Sequence, residues 1–247
     1  NKGGWAANVR ASTTLADFGS ISVSTNIKTA GFGSMESRIN DRLMNDTYQY
    51  DIITNFELGK FFPDRFGVKV PLFFGFSEYY ETPYYNPYDQ DVKLKDVLNS
   101  YETNRERDSL KRITQTLTRR KSFSLSNIRV MPDGSTPHVF SISNLSASYA
   151  FNETYSRNMN TLNNTQKNYS GSLGYNYDVQ PKFWQPFKKV SGGGLAFIRD
   201  FNIGLYPKRF SFNTEISRYY SEMQSRNVHY PDIEIPATYA KDFTWNR

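Results

Sequence analysis

The chain has 247 residues and a mass of 28.6 kDa, so it is long enough to bury a sizeable core. Its formal net charge is +6. Its 18 tyrosines and 19 phenylalanines exclude an intrinsically disordered chain, because disordered sequences are poor in aromatic residues. The absence of cysteine excludes disulfide scaffolds, thiol catalysis and cysteine-ligated zinc, and the two histidines nearly exclude a multi-histidine metal site.

The first two predicted elements are strands joined by a tight turn. From residue 5 to residue 15, apolar or small side chains alternate with polar ones, which is typical of a strand with one apolar face. Asp17, Phe18 and Gly19 provide turn chemistry. They lead into a second alternating segment at 21–27.

The clearest strand signal lies at residues 47–59. Its even positions are mainly aromatic or aliphatic and most of its odd positions are polar. A second alternating segment follows at 68–76, and Pro63-Asp64 lies between the two as a turn signal. Both segments approach the length of about 9–11 residues that a membrane strand needs, whereas strands of globular proteins are typically 5–6 residues long.

One insertion, at residues 92–121, is predicted to be helical and basic. It contains nine lysines and arginines and four acidic residues, so it accounts for most of the excess positive charge. A solvated pair of amphipathic helices at one rim explains it best; an acidic partner, lipopolysaccharide phosphate or nucleic acid is the alternative. No aromatic residues are interleaved among residues 105–120, which disfavours binding of single-stranded nucleic acid. The apolar positions at helical spacing are Leu94, Val97, Leu98, Tyr101, Leu110, Ile113 and Leu117.

The rest of the chain is also predicted to be β-structure, with a short, weak strand at 122–130. Further strands are expected at 145–155, 169–179, 201–205 and 210–216, and residues 243–247 resemble the opening of another strand. The fold class is therefore all-β and antiparallel, with about nine strands and a truncated tenth. Short turns alternate with long loops over the first half, as in outer-membrane barrels, and the topology after residue 180 stays open.

The two ends and the hydropathy complete the description of the chain. Asn1 is not an initiator Met, no signal-like segment follows it, and the last residues begin a strand, so we expect an internal piece of a longer protein. No run of 18 apolar residues occurs, which excludes transmembrane helices but not membrane strands.

Three local patterns resemble binding motifs, and in each the simpler explanation is favoured. Asp89 and Asp91 are spaced like calcium ligands but lack the remaining ligands, so an Asn-Pro turn at 86–87 is favoured. The three glycines at 192–194 lack the Gly-Lys-Ser/Thr ending of a phosphate loop. The Asn-x-Ser/Thr matches reflect a chain rich in asparagine and serine.

No catalytic constellation stands out. Glu78 and Glu81 lie beside several tyrosines, which is a pattern that a glycosidase could use. Aromatics that flank acids at a strand end are equally typical of a membrane-interface girdle. We therefore expect no enzymatic activity and assign no catalytic, cofactor-binding or metal-binding residues.

Several runs of residues, in order along most of the chain, resemble one family. That family is SprA, also called Sov, the outer-membrane translocon of the type IX secretion system in Bacteroidota. The runs are NKGGW at 1–5, LADFG at 15–19, TAGFGS at 29–34, ELGKFFP at 57–63, YNP at 85–87 and RDFN at 199–202.

The resemblance implies that residues 1–247 form part of the wall of a very large outer-membrane β-barrel, with 92–121 as a helical loop insertion. Such a barrel is a wide, laterally gated pore that exports folded cargo proteins, including adhesins for gliding motility. The partners it implies are outer-membrane lipid, cargo in transit, a plug protein, a β-barrel shuttle subunit and periplasmic accessory subunits. Nucleic acid is not among them.

Two alternatives remain open at this point. The first is a small, self-contained outer-membrane barrel or porin, because eight to ten strands suffice to close one. The second is a soluble β-sandwich that binds glycan through tyrosines 79, 80, 84 and 85. Cargo identity, gating mechanism and the rim that carries the insertion are not set by the sequence.

Overall fold

The protein is described by a computed structural model that contains fourteen strands and two α-helices within its described residues. These residues are 3–33, 42–132, 134, 138–179, 183–184, 186–187, 200–204, 207–228, 230 and 233–247. The strands are β1 (Ala6–Leu15), β2 (Gly19–Lys28), β3 (Asn45–Glu57), β4 (Val68–Lys69), β5 (Pro71–Pro83), β6 (Tyr85–Asn86), β7 (Asp89–Lys93), β8 (Thr116–Val130), β9 (Leu145–Arg157), β10 (Thr161–Asp178), β11 (Phe183–Trp184), β12 (Ile203–Gly204), β13 (Arg209–Ser225) and β14 (Thr238–Asn246).

Both α-helices lie in the long connection between β5 and β8. They are α1 (Leu94–Ser100) and α2 (Asn104–Thr114), and short 3-10 turns occur at Leu58–Phe61, Asp64–Phe66 and Ile142–Asn144. Among the described residues, no helix combines the length and apolar character that crossing a membrane would take.

One large antiparallel sheet dominates the fold. Its main path runs in the order β1-β2-β3-β5-β8-β9-β10-β13-β14, and β4 adds a short extension that pairs with β8. Each strand on the path therefore pairs with its neighbour in the chain, apart from short side elements, and the two outer strands have no pairing with each other in the described residues. The predicted all-β, antiparallel class is confirmed.

A β-bulge in β8 adjusts the register near one rim. Asn127 adopts a positive φ of 51°, and the pairing of β8 with β9 shifts between Leu125 and Ile128. The backbone N–H of Asn127 donates to Ser148 Oγ at 2.9 Å. Asparagine tolerates this left-handed backbone better than most residues, so the sequence suits the bulge.

Gly67 fixes the turn that leads into β4. Its φ is +54°, and a Cβ at this position would lie 1.7 Å from the carbonyl oxygen of Met131. The Gly67 carbonyl accepts a 2.9 Å hydrogen bond from the Met131 backbone N–H, which joins the turn to the end of β8. Only glycine satisfies both the backbone angle and the close approach.

The sheet has almost no conventional core. Leu94 and Leu117 are the only apolar side chains classed as buried among the described residues, at 1% and 5% exposure. Leu94 lies in the helical connection and Leu117 near the start of β8. The other sheets in this part of the chain are the two-stranded pairs β6-β7 and β11-β12, so no large second sheet packs on the first.

Three predicted elements differ from the structure. Within the described residues 201–204 of the predicted strand at 201–205, the structure has only the two-residue β12, which pairs with β11, while β13 pairs with β10. The main path has nine strands, and β4 brings the sheet to ten. The predicted weak strand at 122–130 is the 15-residue β8, because residues 116–121 continue the strand instead of extending the helical insertion.

Candidate functional site

The register divides the large sheet into an apolar face and a serine-rich face. Of the eighteen large apolar side chains on the main strands that are classed as exposed, fifteen lie on the apolar face and three on the other. The fifteen are Val9, Leu15, Val23, Tyr50, Ile52, Phe74, Leu145, Tyr149, Leu173, Phe210, Phe212, Ile216, Tyr239, Phe243 and Trp245. A contiguous exposed surface of this kind marks a contact with another apolar phase or partner.

The opposite face carries small polar side chains instead. Its residues are mainly Ser, Thr and Asn, as in Ser22, Ser24, Ser122, Ser124, Ser146, Ser148, Asn152, Ser170, Ser172 and Asn176. Asp51 on this face accepts hydrogen bonds from Ser77 Oγ at 2.7 Å and from Ser24 Oγ at 3.3 Å. The serine-rich face is thus wettable and has few bulky groups.

On the apolar face, the boundary between apolar and charged residues is slanted with respect to the rows of paired residues. The first charged residue on this face of β3 is Asp46. On this face of β13 the first charged residue is Arg218. Successive pairing across the strands connects Arg218 to Thr54 of β3, and we call such a set of paired residues a row; Thr54 is eight residues beyond Asp46. The other end of the apolar residues shifts in the same direction. It lies at Phe56 on β3, whose row reaches β13 at Ile216, but on β13 the apolar residues continue six residues farther, to Phe210.

These shifts correspond to a definite angle. With about 3.4 Å per residue and about 4.8 Å between strands, shifts of six to eight residues over five strand spacings give a slope of about 40–50°. Strands of outer-membrane barrels are tilted by about 35–45° from the membrane normal. The apolar residues therefore form a slanted band, which we call the apolar band, of the kind that tilted strands require if the band is to lie level.

Above the apolar band, charged residues on β5 to β10 form ion pairs that we call the charged belt. Arg119 Nε lies 2.5 Å from Glu78 Oε1, and Tyr80 Oη donates to Glu78 Oε2 at 3.0 Å. Glu153 contacts lysines on both sides, with Lys121 Nζ at 3.3 Å and Lys167 Nζ at 3.6 Å. Adjacent strands place these opposite charges in neighbouring positions, so the belt is paired across the sheet.

The acidic pair considered from the sequence is not brought together. Glu78 and Glu81 lie on opposite faces of β5, because one is at an even and the other at an odd position of the strand. Glu78 contacts Arg119, whereas Glu81 accepts from Asn45 Nδ2 at 2.5 Å and from Tyr79 Oη at 3.3 Å. This arrangement does not form the paired carboxylates of a glycosidase.

Two further sequence candidates were the carboxylates of Asp89 and Asp91 and the three glycines at 192–194. Asp89 and Asp91 are exposed on β7, and Asn86 Oδ1 accepts from the Tyr88 N–H at 3.2 Å, as in a turn. No group of three or more metal-ligating side chains occurs among the described residues. Residues 192–194 lie outside the described residues.

The basic insertion divides between two elements. Arg119, Arg120 and Lys121 lie on β8, whereas residues 94–114 carry five basic and four acidic residues. The excess charge is therefore concentrated on the sheet and not on the helices. The helical spacing up to Leu117 concealed the start of this strand. The alternation of Arg119, Lys121, Phe123 and Leu125 is the signal that could have identified it.

The comparisons with known proteins concern the N-terminal part of the chain. A family model described as SprA_N, motility related/secretion protein, matches residues 1–98. Among curated proteins, no match to the chain was found. The matched residues include β1, β2, β3 and β5 and extend into the helical connection. The resemblance to the SprA family is thus confirmed over residues 1–98, which are similar to a motility-related or secretion protein.

Proposed function

We propose that this chain forms part of the wall of a large β-barrel in the outer membrane, in a translocon channel that exports folded cargo proteins. The observation that carries the proposal is the slanted apolar band. Its slope of about 40–50° matches the strand tilt of membrane barrels, so the band would lie level with the bilayer when the strands tilt.

The two faces support the same function. In a barrel wall, the apolar face would contact lipid and the serine-rich face would line a wet lumen. Small hydroxyl and amide side chains offer hydrogen bonds to water and no large apolar surface, so a folded protein would pass without adhering to the wall. We propose no covalent chemistry for this wall; its partners would be lipid, cargo and the accessory subunits of the secretion system.

The pairing supports a partial barrel more than a small closed one. A closed barrel of nine strands would need β1 to pair with β14, and the described residues form no such pair. Unpaired strand edges are unfavourable in lipid, because each unsatisfied backbone group costs several kcal/mol there, so further strands would continue both edges. A sandwich would need a large second sheet on the apolar face, and the described residues provide only two-stranded ones.

The experiment that tests this proposal uses two adjacent isoleucines of β3. Ile52 lies on the apolar face and Ile53 on the serine-rich face, with similar exposures of 37% and 42%. Ile52→Arg and Ile53→Arg are made separately in the full-length parent protein. We expect Ile52→Arg to cost about 2–4 kcal/mol and to lower the amount in the outer-membrane fraction, whereas Ile53→Arg has little effect.

The matched pair controls for side-chain size, position along the strand and β-propensity. Each variant is expressed at the same level, and folded protein is measured in outer-membrane and soluble fractions together with secretion of a cargo protein. Equal effects of the two substitutions, or a parent protein found in the soluble fraction, would contradict the proposed membrane wall.

A further inference from the structure

A cavity of about 780 Å³ with an excess of arginines lies beside the charged belt. Its basic side chains come from three elements: Arg105 and Arg112 from α2, Arg157 from the end of β9, and Arg226 from the residue after β13. Arg105 and Arg112 are seven residues apart, so they lie on one side of α2. One acidic side chain, Asp108, also lines this cavity.

The four arginines, which we call the arginine cluster, have no carboxylate partner within ion-pair distance in the described part of the chain. The nearby acids of the charged belt pair with other residues: Glu78 with Arg119, and Glu153 with two lysines. Arg157 Nη1 donates to the backbone carbonyl of Arg112 at 2.6 Å, and Arg226 Nε is buried without a hydrogen-bond partner. Like charges held together in this way favour a bound anion.

A second cavity, of about 480 Å³, connects the arginine cluster to the apolar face. It shares Arg112 and Arg157 with the first cavity. Tyr80, Leu117 and Tyr155 line it, as do Thr165 and three residues of the charged belt, Arg119, Glu153 and Lys167. On the same face of β9, Phe151 of the apolar band lies six residues from Arg157. An anionic group in the cluster would therefore have Tyr80, Leu117 and Tyr155 beside it, while Glu153 of the charged belt lies between it and the apolar band.

We propose that the arginine cluster binds the phosphate headgroup of a membrane lipid, with Tyr80, Leu117 and Tyr155 beside the bound lipid. Planar guanidinium groups form paired hydrogen bonds to phosphate oxygens, which suits this cluster better than a carboxylate of an exposed peptide. The tyrosines and Leu117 in the connecting cavity favour a phosphate with attached acyl chains over free phosphate. This inference rests on the proposed function, because it requires the apolar face to contact lipid.

The test uses the full-length parent protein purified from outer membranes in detergent. Binding of a fluorescent phosphatidate in mixed micelles is compared for the parent, the triple variant Arg112→Gln/Arg157→Gln/Arg226→Gln, and a control triple variant. The control is Arg10→Gln/Lys28→Gln/Arg120→Gln, which removes the same charge from the serine-rich face. Arg157→Gln alone serves if the first triple variant does not fold.

We expect the cluster variant to bind phosphatidate at least about tenfold more weakly than the parent, and the control variant to bind it unchanged. Diacylglycerol of the same chain length should not compete, and inorganic phosphate should compete only at far higher concentration. Equal binding by the two triple variants would overturn the site, and equal competition by inorganic phosphate would overturn the lipid as its ligand. A parent protein in the soluble fraction would instead overturn the proposed function; fractionation therefore separates the two failures.

Discussion

Two strands on opposite sides of the sheet, β2 and β13, have different surroundings on the apolar face, even at positions that belong to one row of paired residues. Val23 of β2 and Tyr220 of β13 are connected through Ile52, Phe76, Lys121, Glu153 and Lys167, each paired with the next. Around Val23 the apolar face is uncharged along all of β2, whereas Tyr220 lies between Arg218 and Glu222.

The comparison shows that position in the hydrogen-bonded sheet does not by itself fix the surroundings of a side chain. A row of paired residues crosses the apolar band at an angle, so it leaves the band between β5 and β8 and continues in the charged belt. In a flat soluble sheet nothing would make polarity change diagonally in this way. In a barrel of tilted strands, a level bilayer produces this pattern.

The largest difference is expected when the same charge is placed at both ends of this row. We expect Val23→Arg to cost about 2–4 kcal/mol, because an arginine would enter the hydrocarbon, and Tyr220→Arg to cost about 0–1 kcal/mol near the interface. Unfolding of the full-length protein in lipid vesicles, followed against urea concentration, measures both values. Similar costs at the two positions would contradict a slanted band.

A substitution of Gly67 tests whether the turn before β4 fixes the register of the strands, and so the rows of paired residues. Gly67→Ala would force a positive φ on alanine and place its Cβ against the carbonyl oxygen of Met131, so we expect a loss of more than about 1 kcal/mol. Gly171→Ala is the control, since a Cβ there meets no atom within 4 Å. We expect it to change stability by less than about 0.5 kcal/mol in the same unfolding assay. A neutral Gly67→Ala would mean that this turn does not constrain the strands.

The smallest expected effect concerns the charged belt. Glu153→Gln removes the carboxylate shared by Lys121 and Lys167, whose side chains are 42% and 34% exposed. If the belt lies in the hydrated headgroup region, the loss should be about 0–1 kcal/mol and should shrink further at high salt. A loss several times larger, insensitive to salt, would place the belt inside the hydrocarbon and so remove the boundary on which the comparison depends.

The strands could be predicted where one face is uniformly apolar. Alternation at 47–59 predicted β3 closely, because its apolar positions recur every second residue, whereas 68–76 covered only the first part of β5, which continues to Pro83. The same rule missed the first part of β8, where Arg119 and Lys121 occupy the apolar face above the band. A strand that passes from the apolar band to charged surroundings does not keep one hydropathy pattern.

The functional surface itself could not be predicted from the sequence. Its slant depends on which residues pair across six strands, and the arginine cluster joins residues 105 and 226 through the fold. The composition shows an excess of positive charge, but the helical prediction for residues 92–121 placed that charge on the insertion. The sequence pattern does not show which residues of distant segments come together in the fold.

The most direct test of the membrane wall measures the depth of three side chains in a bilayer. Because this chain has no native cysteine, cysteines introduced at Val23, Phe212 and Tyr220 can be spin-labelled as unique sites within it. In the full-length protein in lipid vesicles, labels at Val23 and Phe212 should be accessible to oxygen and shielded from a water-soluble nickel complex, whereas the label at Tyr220 should be accessible to nickel. Equal nickel accessibility at all three positions would contradict an apolar band that lies within the bilayer.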